Sequence, residues 1–288
     1  MKKLVITTFT DPMMGLSYES EPLFRKLETH FPDQIEFRTV MSMLVRDARD
    51  FMTPEERALE PEEGFRRYNA RLAEIYRSEE AIGGMPICLD ETFDLFAPDR
   101  PSSYPLCLAY KAVQLVDPDR AAAFLYRLRY ATIVETRPTT KINEILKVIQ
   151  LTGIVANLFW AAYTDGSARA ALEKDLLETR RLGVHSLPAH LIQYGDEGYL
   201  LQSFSYEDYV NVIRNLTDGA VLPQKVIASL NAVKTLLAAH PLISPLEILE
   251  ALELPDLEEV QALLQPLLLS GTVAIQEASH GWFVQGNG

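Results

Sequence analysis

The chain contains little cysteine, and none of it lies in a redox motif. Its 288 residues include only Cys88 and Cys107, which do not form a CxxC pair. Small secreted domains depend on several paired cysteines, so a disulfide framework is excluded. We expect two ordinary reduced thiols in a cytoplasmic protein.

Positive charge is also scarce. The chain has 27 Lys and Arg against 40 Asp and Glu, which gives a net charge of −13. Nucleic acids and anionic membranes are bound largely through cations, so we expect neither a nucleic-acid partner nor a membrane partner. The sequence has no apolar run long enough to cross a membrane, and its first residues do not form a secretory signal.

Common catalytic and metal-binding motifs are missing as well. The chain has no HExxH, no glycine-rich phosphate loop and no GxSxG turn. His185 and His190 lie on either side of Pro188, but this spacing is weak evidence for a metal ligand pair. We therefore predict no metal site.

The residues that are present predict an α/β fold. Strand-like segments at Lys3 to Thr10 and Ile35 to Val45 enclose a helical segment, Glu19 to Phe31, which indicates a βαβ unit. A hairpin is predicted with strands at Ala189 to Tyr194 and Tyr199 to Phe204 on either side of the GDEG turn. Ser205 has capping-box spacing to Asp208 at the start of a closing helix. Helices are predicted between these parts, at Thr53 to Glu80, Tyr104 to Val116, Pro118 to about Val134, Ile142 to Ile149 and Ser167 to Leu182.

The domain organisation follows from this order of elements. Residues 1–217 read as one domain with a helical insertion at about 53–182, and residues 223–288 read as a second, acidic domain. The tail predicts helices at Gln224 to Ala239, Pro245 to Leu254 and Leu257 to Leu269, then a hairpin, which is a winged-helix-like α+β layout. Residues 241–288 contain no Lys or Arg, so DNA binding by this layout is excluded.

Three segments resemble the DsbA family, in particular its FrnE-like branch of predicted dithiol-disulfide isomerases. They are TFTDPMMGLSYESEPLFRKLE, SSYPLCLAYKAVQL and ALEKDLLETRRLGVHSLPAHLI. The resemblance covers about residues 1–217 and implies a thioredoxin-like fold with a helical insertion. It also implies a cis peptide bond at Pro188, beside the active-site loop.

The family's redox motif is degenerate in this chain. Relatives usually read DPMCxWCY, whereas here Met14 occupies the position of the nucleophilic cysteine and Ser17 that of the resolving cysteine. A thioether cannot form the thiolate or the mixed disulfide that exchange requires. We therefore expect disulfide oxidoreductase activity to be lost, with Ser17 either capping the helix or binding a ligand at its N-terminus.

The leading hypothesis is a redox-inactive protein that binds a peptide or protein partner in a cleft between the motif loop and the cis-proline strand. The tail would mediate partner contact or homodimerisation. One alternative is a kappa-class-like transferase or isomerase that uses glutathione, with Ser17 as the candidate catalytic residue; another is residual redox chemistry at Cys88 or Cys107. The predicted ligand-binding residues are Met14, Gly15, Leu16, Ser17, His185, Leu187 and Pro188.

Overall fold

A computed structural model describes residues 3–286 of the chain, and these include a four-stranded mixed sheet in the order β2-β1-β3-β4. The first two strands are parallel, and the remaining neighbours are antiparallel. This is the sheet that the βαβ unit and hairpin predict. The strands are β1 (Leu4–Thr10), β2 (Ile35–Met41), β3 (Ala189–Tyr194) and β4 (Glu197–Leu201).

Helices connect and cover this sheet. The βαβ unit contains α1 (Gly15–Glu19) and α2 (Glu21–His30), which are separated at Ser20. One face of the sheet packs against α2 and α10, and the largest apolar core lies in the helical insertion. The remaining helices of this part are α3 (Pro54–Arg57), α4 (Pro61–Gly83), α5 (Tyr104–Val116), α6 (Ala121–Ile133), α7 (Ile142–Leu151), α8 (Ala156–Thr164), α9 (Ser167–Arg181) and α10 (Tyr206–Leu216).

Two features of the insertion differ from the sequence prediction. The single helix predicted from Thr53 to Glu80 is two helices, because Pro61 is the first residue of α4 and breaks the continuity with α3. The sequence analysis also missed α8. Its apolar residues do not form one buried face, since Leu158 and Trp160 are exposed while Phe159 is buried, so its periodicity is weak.

The hairpin and the helix that follows it differ in detail as well. The second strand begins at Glu197, two residues earlier than predicted, because Tyr194 pairs with Glu197 around a two-residue turn at Gly195 and Asp196. The capping box predicted for Ser205 and Asp208 does not form. The Ser205 hydroxyl donates to Glu207, and a different serine, Ser203, donates to Asp208.

The tail consists of helices and a small antiparallel sheet in the order β5-β7-β6. Its first helix begins later than predicted, because Ser229 caps it by accepting the N–H of Ala232. The predicted capping box of Ser244 and Glu247 is present at the second helix. The elements are α11 (Leu230–Ala239), β5 (Leu242–Ile243), α12 (Pro245–Leu252), α13 (Leu257–Leu269), β6 (Val273–Glu277) and β7 (Trp282–Gly286).

The tail has a core of its own but is also packed on the rest of the chain. Helix α12 lies along α2. The ring of Phe283 is fully buried against Tyr130 of α6, with ring centroids 4.8 Å apart. Glu247 of α12 is fully buried and accepts a hydrogen bond from Tyr126 of α6. The interface with the thioredoxin-like part therefore contains both apolar and charged contacts.

Candidate functional site

Asp11 anchors the loop that leads into the former redox motif. Its buried carboxylate accepts the backbone N–H of Met13 at 3.1 Å and of Leu44 at 2.7 Å, and the hydroxyl of Ser103 at 2.6 Å. Burial raises the pKa of Asp11, and these hydrogen bonds oppose that rise. One side chain thus connects the end of β1, the segment after β2 and the start of α5.

Cys107 also lies against Asp11 and is a poor candidate for thiol chemistry. Its sulfur is 3.6 Å from the Asp11 carboxylate, and its side chain is fully buried. Burial, followed by the negative charge of Asp11, raises the pKa of the Cys107 thiol well above its ordinary value. Since the thiolate is the reactive form, this environment disfavours reaction at Cys107.

Met14 stands at the N-cap of α1, where the family places its nucleophile. It has extended backbone angles, and its side chain caps nothing. Only 6% of the residue is exposed. The helix N-terminus that would lower the pKa of a cysteine here therefore faces a buried thioether, which has no proton to lose.

Helix α4 packs on the motif loop. The Tyr76 hydroxyl donates a hydrogen bond to the Met13 carbonyl, which joins α4 directly to the loop. Gly15 lies under α4: a Cβ there would be 1.9 Å from a Glu79 carboxylate oxygen and 2.5 Å from the Tyr76 ring. Burial raises the pKa of Glu79 to about 7. The close approach of α4 thus requires glycine at position 15.

Ser17 lies inside α1 rather than at its cap. The N-cap is Met14, so the capping role predicted for Ser17 is wrong. The Ser17 hydroxyl shares a 2.6 Å hydrogen bond with the Thr10 hydroxyl, which also accepts from the Arg129 guanidinium at 2.9 Å. The Ser17 side chain is therefore held in a buried polar cluster.

That cluster continues into a network of buried charges that the sequence analysis missed. Glu21 bridges two guanidinium groups, at 2.9 Å from Arg129 and 2.7 Å from Arg25. Arg25 also contacts Glu28 of α2 and lies 3.3 Å from Glu247 of the tail. A sequence signal existed, because two arginines, Arg127 and Arg129, interrupt the largely apolar run of α6, and an Arg that is buried in such a run needs a partner.

A small cavity adjoins this network. Its volume is about 120 Å³, and Thr10, Ser17, Arg129, Arg25 and His240 are among the residues that line it. Ser17 thus borders a cavity on the α2 side of the sheet whose lining includes both charged and apolar side chains.

The cis-proline side of the predicted site is only partly accessible. The Leu187–Pro188 peptide bond is cis, as the sequence predicts. The structure places the predicted site residues in three environments: Met14, Gly15, Ser17 and Pro188 are buried, Leu16 and Leu187 are half-buried, and His185 is exposed. Met14 and Gly15 are buried, and α4 lies against Gly15, whereas Ser17 is buried beside the cavity; their role in binding remains a prediction.

Apolar side chains remain accessible next to Leu187. Leu191 of β3 is half-buried and pairs with Leu200 of β4, which is 39% exposed. Strand β4 is at the edge of the sheet, and its Tyr199 is 53% exposed. An unpaired edge with apolar side chains can receive another chain.

Residues 3–286 lack the features of two other kinds of site. Their helices include none with the length and apolar character of a membrane span. Their His, Cys, Asp and Glu side chains form no group of three or more that could hold a metal ion.

Comparison with known proteins places this geometry in a family. A family model described as Thioredoxin matches residues 7–211. The chain belongs to the thioredoxin family. The match includes the motif loop, the helical insertion and the cis-proline strand.

Solved structures with this fold include DsbA-type oxidoreductases, which have the fold that the DsbA resemblance implies. The cytosolic disulfide reductase DsbM from Pseudomonas aeruginosa aligns with a TM-score of 0.58 at 18% identity, over 75% of this chain and 100% of that one. A probable DsbA oxidoreductase from Streptomyces coelicolor aligns with a TM-score of 0.55 at 17% identity, over 78% of this chain and 94% of that one. At these identities the likeness establishes the thioredoxin fold alone.

Curated relatives extend further along the chain. The ClpXP adapter protein SpxH of Bacillus subtilis is 24% identical over 288 residues, covering 98% of this chain and 89% of the relative. The SpxH of Halalkalibacterium halodurans is 22% identical over 287 residues, covering 98% of this chain and 88% of the relative. These relatives match this thioredoxin-family chain across its tail, which the two solved structures leave largely unmatched.

Proposed function

We propose that this protein is a redox-inactive adapter that binds a protein client and presents it to the ClpXP protease. The main support is the state of the motif loop. Met14 and Ser17 replace both sulfurs of the family's redox pair, and α4 covers the loop that carries them. A thioredoxin fold without its reactive group retains a scaffold for binding.

Similarity along nearly the whole chain supports the adapter role specifically. The relatives named as ClpXP adapters match 98% of this chain, tail included. An adapter has to contact both a client and a protease. A fold with two packed units provides separate surfaces for these contacts.

The client surface in this proposal is the apolar face beside the cis-proline. Leu187 and Leu191 are half-buried, and Leu200 is exposed on the edge strand. An extended segment of a client can pair with the free edge of β4 while it covers these side chains. The surface lies next to the predicted cleft but does not require the buried motif residues.

The test is a trap experiment in cells. An inactive ClpP that captures but does not degrade would be isolated from cells with and without the chain, and the captured proteins would be quantified. We expect a set of proteins whose capture depends on the chain and falls about tenfold in L191D/L200D, because burying an unpaired carboxylate is costly. The matched control is L177D, since Leu177 of α9 is 60% exposed and lies on another surface.

Identical captured sets with and without the chain would contradict the proposal. Equal losses in L191D/L200D and L177D would place the client elsewhere.

The glutathione-dependent alternative has a separate test. Ser17 borders a cavity that is also lined by Arg25 and Arg129, so calorimetry with millimolar glutathione would compare the wild type with Ser17→Ala. We expect no heat of binding in either protein. Binding that is weakened by Ser17→Ala would favour the enzyme.

A further inference from the structure

A groove on the tail has the features of a second docking site. It lies between α13 and the β6–β7 hairpin and has a volume of about 480 Å³. Leu264, Leu268, Ile275 and Trp282 supply its apolar lining. A groove of this size is within the range that proteins use for binding.

The rim of the groove is acidic and has no local counter-charge. Glu258 of α13 and Glu277 of β6 line it, and both are exposed. Residues 241–288 contain seven Asp and Glu and no Lys or Arg. Among the described residues 3–286, Glu258 and Glu277 form no ion pair, and the lining of the groove contains no Lys or Arg, so a ligand with positive charge complements the rim.

The apolar lining continues along α13. Leu269, the last residue of the helix, is 82% exposed, and Ile275 on the facing strand is 36% exposed. An apolar floor with an acidic rim suits an amphipathic helix that has one apolar and one cationic face.

We propose that this groove binds a cationic amphipathic helix of a protein partner. The inference deepens the adapter proposal and relies on it only for the expectation that the partner is a protein. A second copy of this chain is a poor occupant of the groove. Two copies that met through this groove would bring Glu258 and Glu277 of each opposite those of the other, with no Lys or Arg in either lining.

Trp282 provides a direct readout of occupancy. The chain has two tryptophans, so Trp160→Phe leaves Trp282 as the single fluorophore. The probe is a designed peptide of about 14 residues with leucine on one helical face and lysine on the other. Its helix of about 21 Å matches the 13-residue α13 in length. The control peptide carries glutamate in place of lysine.

We expect the lysine peptide to shift the Trp282 emission at low salt and to bind weakly at about 0.5 M salt, where charges are screened. E258Q/E277Q should weaken binding, and E258K/E277K should weaken it about tenfold or more, because each lost pair adds a modest electrostatic term. E62K/E74K gives the same net charge but changes exposed residues of α4, so its effect should stay within about threefold.

Three outcomes would overturn the inference. The first is an unchanged Trp282 emission with the lysine peptide, and the second is equal weakening by E258K/E277K and E62K/E74K. The third is a dimer in sedimentation that E258K/E277K abolishes, which would make a second copy the occupant. Circular dichroism checks that each variant is folded. The peptide assay needs no protease, so its failure is distinguishable from a failure of the adapter proposal in the trap experiment.

Discussion

Glu247 gives the sharpest test of how the tail is held. It is fully buried, and one carboxylate oxygen accepts the N–H of Ser244 at 2.8 Å and the hydroxyl of Tyr126 at 2.6 Å. The other oxygen lies 3.3 Å from the Arg25 guanidinium. A single side chain therefore caps α12 and joins the tail to α6 and α2.

Replacing Glu247 with alanine should destabilise the protein by about 3 kcal/mol. The hydrogen bond of Tyr126 and the cap of α12 contribute about 1 kcal/mol each, and the vacated space adds a similar cost. The cost stays near the lower end for a broken buried ion pair, about 3–5 kcal/mol, because Arg25 retains Glu21 and Glu28. Urea unfolding would measure this loss, and a loss below about 1 kcal/mol would refute the reasoning.

The same residue predicts a pH dependence with a defined sign. Burial raises the pKa of Glu247 to about 7, which outweighs the opposing charge of Arg25. The folded protein therefore holds this proton more tightly than the unfolded chain, in which a glutamate titrates near pH 4.3. The contribution of Glu247 is fully present below about pH 4.3 and is lost as the pH rises through about 7, by up to about 3–4 kcal/mol.

Glu247→Gln separates this effect from that of other groups. Glutamine still has an oxygen that can accept the Ser244 N–H, but it has no carboxyl group to titrate. The free energy of unfolding of the wild type, relative to that of Glu247→Gln, should be higher at pH 5 than at pH 8. An exposed control, Glu74→Gln, should show no such trend. A difference between wild type and Glu247→Gln that does not change with pH would show that Glu247 does not titrate in this range.

Three further predictions concern the motif loop and its contacts with α4. Restoring both cysteines in M14C/S17C should leave insulin reduction at background and alkylation slow, because both positions are buried; rapid alkylation would show that the loop is accessible. Gly15→Ala should lower the free energy of unfolding by about 1–3 kcal/mol through overpacking against the Tyr76 ring, since the flexible Glu79 side chain can move aside; an unchanged urea midpoint would contradict that close approach. Burial raises the pKa of Glu19 to about 8, so the free energy of unfolding of the wild type should fall as the pH rises from about 4.3 to 8. Glu19→Gln should show a smaller fall over this range, and an equal fall in both proteins would contradict the prediction.

Much of the fold could be predicted from local sequence signals. The strand at Lys3 to Thr10 and the capping box at Ser244 depend on neighbouring residues, so each can be predicted from a short segment. The cis bond at Pro188 required the family resemblance in addition, because most X-Pro bonds in folded proteins are trans.

The environment of the site could not be predicted in the same way. Gly15 and Tyr76 meet only because α4 folds back over the loop, and no periodic pattern in either segment indicates that contact. The ion pair of Arg25 and Glu247 joins residues from opposite ends of the chain. Pairings of this kind depend on how the helices pack, so local signals carry little information about them.

The loss of both motif thiols follows from the amino-acid sequence alone, because Met14 and Ser17 supply a thioether and a hydroxyl in any conformation. The closure of the loop beneath α4 is instead a product of the fold. That closure depends on Tyr76 and Glu79 of α4 lying against Gly15, which are contacts between segments far apart in the chain. The type of atom is a local property of the sequence, whereas its access to solvent is a property of the packed molecule.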